Sequence, residues 1–372
     1  MGNFSNLGLK KEILAVLSRL HFTESLEVQD AIIPLALRGK DIVFTSRTGS
    51  GKTLAYLLGF LGKINPKHGI QMLVLVPTRE LCIQVGKEIT KVCDPLGIKV
   101  GMLYGGREIA GDHMTTKKRN NIMVGTPGRL IQHINAKNIK VGDVKYLVYD
   151  ESDQMFDRGF FDECVYVKKR VSSDVQTIFS SATMTEKVQQ FIETALPGHE
   201  VLKIGDLVPK KIIQEKLFCT IPEKKEVLLR FLRHKKFSRV MVFCNRKDRT
   251  AELTRFLSAH KFHAKELSSN LVQDERFNTL NLFKDGKIHI LITTDVAARG
   301  LQIENVDLVV NYDAPTRAEF YIHRIGRTGR RDKPGYCLSL ICPEDDNRFA
   351  DIEFDFDVSV AELDTEFKRK KM

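Results

Sequence analysis

The chain has 372 residues, 42% of them apolar and 28% charged, a globular composition long enough for two cores rather than one. It contains no run of about 18 apolar residues, which excludes a membrane-spanning helix, and its first residues lack the charged-then-apolar order of a secretory leader. A net charge of +11 favours a polyanionic partner, although charge alone leaves an ordinary basic soluble protein equally open.

In chain order, short apolar runs at 42–44, 72–76, 122–124, 146–149 and 177–179 each precede polar turn residues and a helix-like stretch. The pattern recurs at 240–243, 288–292 and 308–311. Near-continuous Val, Ile and Leu strands alternating with helices predict parallel sheets covered by helices on both faces, an α/β fold played twice. The mixture of Gly, Pro and charge at 205–211 predicts a linker. That gives a first domain over 1–204, a second over 212–348, and a short acidic-then-basic tail over 349–372 whose end is expected to fray. Cys82, Cys93, Cys164, Cys219, Cys244, Cys337 and Cys342 are scattered without a CxxC pair. They predict buried thiols in a reducing compartment rather than a zinc site or a disulfide framework.

After 42–44 the chain reads Thr45-Ser46-Arg47-Thr48-Gly49-Ser50-Gly51-Lys52-Thr53. A phosphate-binding loop asks for Gly, four residues, then Gly-Lys-Ser/Thr, between a strand and a helix. Ser46 stands where the first glycine is expected. Gly49, Ser50 and Gly51 still permit a turn whose backbone N–H groups face an anion at a helix N-terminus. Lys52 is placed to reach the β- and γ-phosphates, and the Thr53 hydroxyl to ligate Mg²⁺; an ordinary Gly-Ser turn is the plainer alternative. The run 146–149 ends in Asp150-Glu151-Ser152-Asp153. In open parallel sheets, ligand groups gather at the carboxyl ends of strands. Asp150 is therefore the candidate to hold the metal through water, and Glu151 to orient or deprotonate an attacking water. Alone, this run would read as a solvated acidic turn.

Asp150-Glu151-Ser152-Asp153 resembles the Asp-Glu-Ala-Asp signature of the DEAD-box ATP-dependent RNA helicases, with Ser152 for the usual Ala. That family's loop begins with Ala or Ser, as this one does at Ser46. Further motifs follow in the family's order: Pro77-Thr78-Arg79-Glu80-Leu81, Gly105-Gly106, Thr126-Pro127-Gly128-Arg129, Ser181-Ala182-Thr183, Thr294-Asp295 through Arg299-Gly300, and His323-Arg324-Ile325-Gly326-Arg327-Thr328-Gly329-Arg330. The likeness runs from Phe4 to about Leu340.

The resemblance implies two RecA-like domains joined by a flexible linker, ATP and Mg²⁺ as cofactors, and RNA-dependent hydrolysis of ATP to ADP and phosphate. It implies that Ser46, Thr48, Gly49, Ser50, Gly51, Lys52 and Thr53 bind the nucleotide, that Phe22 stacks on the adenine, and that Gln29 reads its edge. Phe4 falls at the family's upstream aromatic position. Arg327 and Arg330 would meet the γ-phosphate, His323 would couple to Asp153, and Ser181 and Thr183 would link the nucleotide and RNA sites. Thr78, Arg79, Gly106, Thr126 and Arg129 in the first domain would hold the RNA backbone, as would Gln273, Arg276, Thr294 and Gly300 in the second. Such contacts carry little sequence preference. The family's Gly-Phe and following Pro are here His21-Phe22 and Ser25. Its Arg-Gly-Leu-Asp-Ile reads Arg299-Gly300-Leu301-Gln302-Ile303, and the neutral Gln302 offers a ribose a weaker partner than a carboxylate does.

On this reading ATP closes the two domains over single-stranded RNA, short duplexes separate, and hydrolysis resets the clamp. An ATP-gated RNA clamp or scaffold that unwinds little stays open beside it. So do a nucleotide kinase, against which Arg327 and Arg330 in a second sheet speak, and a DNA translocase. A monomer, protein partners that supply specificity, no membrane, and a nuclear or nucleolar setting complete the expectation, with the cytoplasm as the alternative setting. Ribosome assembly is the expected pathway, by analogy with other family members.

Overall fold

The computed structural model describes residues 2–363 apart from 47–48, 107, 206–210, 269–270, 299–300, 302, 304–305 and 330–333, and apart from the side chains of 273 and 274. The chain divides into two compact units, Met1–Gly205 and Asp206–Met372. In the first, β1 (Ile42–Thr45), β2 (Met72–Leu75), β3 (Val100–Leu103), β4 (Ile122–Gly125), β5 (Tyr146–Tyr149), β6 (Gln176–Ser181) and β7 (Glu200–Lys203) form one sheet in the order β3-β4-β2-β5-β6-β1-β7. Its pairings are parallel, with Met72 opposite both Ile122 and Tyr146, and Ile42 opposite Ile178.

Successive strand residues face opposite sides of a sheet, and here the two sides enter different cores. Ile42, Phe44, Met72, Val74, Ile122 and Val124 pack with the helices Glu27–Leu37, Lys52–Leu61 and Arg79–Cys93. Val43, Leu73, Leu75, Met123, Leu147 and Tyr149 pack with Phe156, Cys164 and Phe191 from the helices Ser152–Asp157, Phe161–Lys168 and Glu186–Ala195. Coverage of both faces is why these strands read as unbroken apolar runs.

The second unit repeats the plan. β8 (Ile212–Phe218), β9 (Val240–Phe243), β10 (Ala264–Leu267), β11 (Ile290–Thr293), β12 (Leu308–Asn311), β13 (Gly335–Ile341) and β14 (Ala361–Glu362) form a parallel sheet in the order β10-β11-β9-β12-β13-β8-β14. Val240, Val242, Ile290 and Ile292 meet Leu228 and Phe231 of the helix Lys224–His234. Met241, Phe243, Leu291 and Val309 meet Phe283, Tyr321 and Phe349. In strand order, β8 takes the place of β1 and β12 that of β5. The helix after β8 begins with Lys224, which is 2% exposed, and its ammonium lies 3.5 Å from Asp313 and 3.7 Å from Asp345.

Several strands escape a search for apolar runs. β3 and β7 are sheet edges with half-buried or exposed residues, β8 mixes Gln214, Glu215 and Lys216 into its length, and β10 carries Lys265 and Glu266. The stretch after Arg348, expected as a tail, belongs instead to the second unit. The helix Asp346–Asp355 buries Phe349 and Ile352, and β14 pairs with β8. Residues 364–372, with most of the expected linker, lie outside the described residues. No described helix is long and apolar enough to cross a membrane. All seven cysteines are buried, and burial pushes the thiols of Cys93 and Cys337 up to about 12.

Candidate functional site

β1 brings the chain to the carboxyl edge of its sheet at Thr45, and the helix Lys52–Leu61 leaves from Gly51. Between them Gly49 and Gly51 take φ values of 77° and 91°, left-handed conformations that glycine adopts without a Cβ penalty. Gly51 is also a close approach, because a Cβ there would stand 2.7 Å from Gln29 Nε2. The hydroxyls of Ser46 and Ser50 lie 3.1 Å apart. Lys52 is 6% exposed, and its Nζ is buried without a hydrogen bond among the described residues. A buried ammonium without a partner is costly. At a helix N-terminus it asks for an anion, so the loop fits a phosphate chain.

Asp150 follows β5 and is 3% exposed. Ser180 Oγ donates to its Oδ1 at 2.7 Å and Tyr56 OH to its Oδ2 at 3.2 Å. Burial, with the Asp150 charge beside it, pushes the Tyr56 phenol well above its ordinary range, so that hydroxyl keeps its proton and donates. Glu151 has a φ of 53°, which costs a non-glycine residue about 1–2 kcal/mol. That backbone turns β5 sharply into the helix Ser152–Asp157, and Gln154 Nε2 donates to Glu151 Oε2 at 2.8 Å. Backbone strain held at a strand end is characteristic of functional positions. Ser152 Oγ donates to the Ser180 carbonyl at 2.8 Å, so the hydroxyl that departs from the family's Ala ties the acidic turn to β6. Asp153 Oδ2 accepts from Ala182 N at 3.3 Å and Thr183 Oγ1 at 3.1 Å, and Ser181 Oγ donates to Thr183 O at 2.6 Å. Asp153, Ser181 and Thr183 thus meet at the end of β6. Thr53 and Asp150 offer a hydroxyl and a carboxylate, the hard and sparse donor set that suits Mg²⁺ when phosphates and waters complete its shell.

Gln29 is 3% exposed; its Oε1 accepts from Leu26 N at 2.9 Å and its Nε2 donates to Gly51 O at 3.2 Å. The expected reader of adenine is therefore also a brace on the phosphate loop. The Phe22 ring is 44% exposed. His21, where the family has Gly, adopts a φ of 59°. Ser25 uses the N–H that the family's Pro would lack, donating to Gly2 O at 3.0 Å, and Gly2 N returns a bond to Ser25 O at 3.2 Å. This segment is fastened to the chain beside it, where Phe4 is buried.

Thr78, Gly106 and Thr126 follow β2, β3 and β4, on the same carboxyl edge as the loop and the acids. Thr78 Oγ1 caps the helix Arg79–Cys93, accepting from Leu81 N at 3.1 Å, and Thr126 precedes the helix Pro127–Asn135. Gly106 has a φ of 92°, and a Cβ there would overlap the Arg79 guanidinium at 1.6 Å. Arg129, expected on the RNA backbone, is engaged within its own unit. It is 6% exposed, and its Nε donates to Asp112 Oδ2 at 2.7 Å, its Nη2 to Glu108 O at 2.7 Å, and its Nη1 to Gln132 Oε1 at 3.1 Å. His133 Nε2 lies 2.9 Å from the same Asp112 oxygen. The cause is Asp112, a fully buried carboxylate that must be neutralised from within.

In the second unit Thr294 follows β11, its Oγ1 accepting from Ala297 N at 3.4 Å, and Arg276 Nη2 donates to Ala297 O at 2.6 Å. Arg324 is fully buried and forks onto Asp295 at 2.7 Å through both Nε and Nη2. His323, on the same helix Ala318–Ile325, is 8% exposed, and Arg327 just beyond is 5% exposed, its Nη1 donating to Leu301 O at 2.6 Å. Gln273 opens the helix Gln273–Lys284. Its side chain lies outside the described residues, as do Thr48, Gly300, Gln302 and Arg330. Sequence reasoning missed Tyr56, Ser180 and Gln154. A signal existed for Tyr56, which stands three residues after Thr53 on the same helix face.

A phosphate loop and a metal-type carboxylate share one carboxyl edge, and a second sheet repeats the strand order. Together these features place the chain among the P-loop nucleotide hydrolases built from two RecA-like domains. Solved structures agree. That of S. cerevisiae Dbp5 bound to RNA and ADP BeF3 is similar at a TM-score of 0.88 and 27% identity, covering 98% of this chain and 96% of the other. A DEAD box protein from Methanococcus jannaschii is 34% identical, with a TM-score of 0.57 and coverage of 98% and 99%. Residues 26–191 match the DEAD/DEAH box helicase family and 223–332 the helicase conserved C-terminal domain. ATP-dependent RNA helicase CshA of Listeria monocytogenes is 38% identical over 348 residues, 93% of this chain and 67% of that protein. The DEAD-box ATP-dependent RNA helicase CshA of Bacillus subtilis is 37% identical, over 94% and 72%. The chain belongs to the DEAD-box ATP-dependent RNA helicases, and its activity is that of an RNA-dependent ATPase and helicase. This removes the nucleotide-kinase and DNA-translocase readings. The nuclear or nucleolar expectation is also overturned, because these CshA relatives are bacterial proteins, from cells without a nucleus.

Proposed function

We propose that the chain uses ATP to clamp single-stranded RNA by its backbone, separating short duplexes or remodelling RNA–protein complexes, and that hydrolysis resets the clamp. The observation that carries this is the shared carboxyl edge of the first sheet. Lys52, Asp150 and Glu151 follow β1 and β5, while Thr78, Gly106 and Thr126 follow β2, β3 and β4. The bonds from Asp153 to Ala182 and Thr183 join the acidic turn to the end of β6.

In the proposed reaction a water oxygen attacks the γ-phosphorus, the bond to the β–γ bridging oxygen breaks, and Glu151 takes the water's proton. Lys52 and the N–H groups of Gly49, Ser50 and Gly51 take up phosphate charge, and Phe22 and Gln29 receive the adenine. Thr53 and Asp150 would hold Mg²⁺, which neutralises charge on the phosphate oxygens. Arg327 and Arg330 would meet the γ-phosphate on closure, a contribution worth roughly 10³–10⁵ in rate, with Gln302 toward the ribose and His323 toward Asp153. Arg79 and, in the second unit, Gln273, Arg276, Thr294 and Gly300 would complete the grip on the RNA backbone. ATP and RNA then favour one state, so each strengthens the other's binding.

Glu151→Gln should bind ATP and RNA yet stop turnover, and Lys52→Ala should lose ATP binding. Hydrolysis by Glu151→Gln at the parent rate would sink the assignment. A strand-separation assay with and without ATP decides between unwinding and an ATP-gated clamp, since a clamp retains RNA and releases no strand. We also propose an assembling ribosome as the particle, by family analogy, and a monomeric chain whose protein partners supply specificity. Cross-linking to cellular RNA should recover mainly ribosomal RNA, and recovery dominated by messenger RNA would overturn the ribosomal assignment.

A further inference from the structure

Two hydroxyls converge on one buried carboxylate at the edge of the first sheet. Both oxygens of Asp150 are engaged, Oδ1 by Ser180 Oγ at 2.7 Å and Oδ2 by Tyr56 OH at 3.2 Å. Three segments therefore meet at Asp150: the helix that follows the phosphate loop, the end of β5, and the strand β6 that runs on into Ser181-Ala182-Thr183.

The chemistry of these donors suits a metal site. A carboxylate oxygen has two lone pairs, so a single hydroxyl on each leaves one apiece for a metal-bound water. Neutral donors fix the carboxylate without cancelling its charge, which an arginine or lysine in their place would do. Packing explains the ring of Tyr56, which lies in the core with Phe60 and Leu57, but not its hydroxyl. A phenylalanine would fill that core without burying a polar oxygen.

We propose that Tyr56 and Ser180 are positioning residues of the metal site. Together they hold the Asp150 carboxylate in the arrangement that receives Mg²⁺ with ATP. The inference rests on the reading of Thr53 and Asp150 as the metal-holding pair.

Tyr56→Phe and Ser180→Ala each remove one oxygen. Binding of a fluorescent ADP analogue is titrated with Mg²⁺ and repeated in EDTA, and RNA-stimulated ATPase is followed against Mg²⁺ concentration. In each variant the Mg²⁺ half-saturation point should rise roughly three- to tenfold, the reach of one lost hydrogen bond. Binding and melting temperature in EDTA should stay at the parent values, and turnover should recover at high Mg²⁺. Unchanged Mg²⁺ dependence in both variants overturns the inference, and so does an equal loss of binding in EDTA, which would mark a merely structural role. Asp150→Asn separates this inference from the reading beneath it. If that variant leaves the Mg²⁺ dependence untouched, the metal assignment itself fails. If it shifts the dependence while Tyr56→Phe and Ser180→Ala do not, only the positioning role fails.

Discussion

Arg129 and Lys52 are both buried basic residues of recognisable motifs, and their surroundings give them opposite tasks. Arg129 neutralises Asp112 within its own domain, whereas Lys52 has no partner among the described residues. Arg129→Ala leaves Asp112 a buried charge without its guanidinium, and breaking such a pair from one side costs about 3–5 kcal/mol. Denaturant unfolding of the first unit should show that loss. The salt dependence of RNA binding should keep the parent's slope, to which each phosphate neutralised on a single strand contributes about −0.7. A slope smaller by one phosphate, at unchanged stability, would place the guanidinium on RNA instead. Lys52, Asp150 and Glu151 were legible in the sequence because a loop spacing and a strand end are local patterns. Tyr56 was not singled out, since its hydroxyl finds Asp150 94 residues along the chain. The Arg129–Asp112 pair, 17 residues apart, was hidden in the same way.

Among the elements, the strands found from sequence are those whose two faces both enter a core. β13 is the instructive exception. It is buried throughout, yet Ser339 interrupts its apolar run, and Ser339 Oγ is satisfied across the sheet by Asn311 Nδ2 at 3.0 Å. The helix Asp346–Asp355 escaped because acidic residues surround Phe349 and Ile352, whose spacing of three still places them on one buried face. Phe349→Ala should cost about 3–5 kcal/mol, seen as a lower denaturation midpoint for the second unit. A midpoint equal to the parent's would return this stretch to the status of a tail.

Across the whole molecule, buried acids that hold their protons set an alkaline limit on stability. Burial raises the thiols of Cys93 and Cys337 from 9.0 to about 12, and raises the thiols of Cys164 and Cys244 as well. The folded pKa lies above the unfolded one, so the contribution is complete below about pH 9 and is lost as pH climbs toward 12. In that window the unfolded chain releases protons that the folded chain retains, at about 1.4 kcal/mol per group per pH unit. Urea midpoints should therefore fall steeply between pH 9 and pH 10.5, and a flat profile there would refute the protonated interior. The repeated strand order has a consequence of another kind. The helix after β1 and the helix after β8 each open on a buried lysine. Lys224 brings its own counter-ions in Asp313 and Asp345, so that ammonium is neutralised where it stands, while Lys52 has no hydrogen-bond partner among the described residues. Of two lysines at matching places in a duplicated architecture, Lys52 is thus the one left open to an anion.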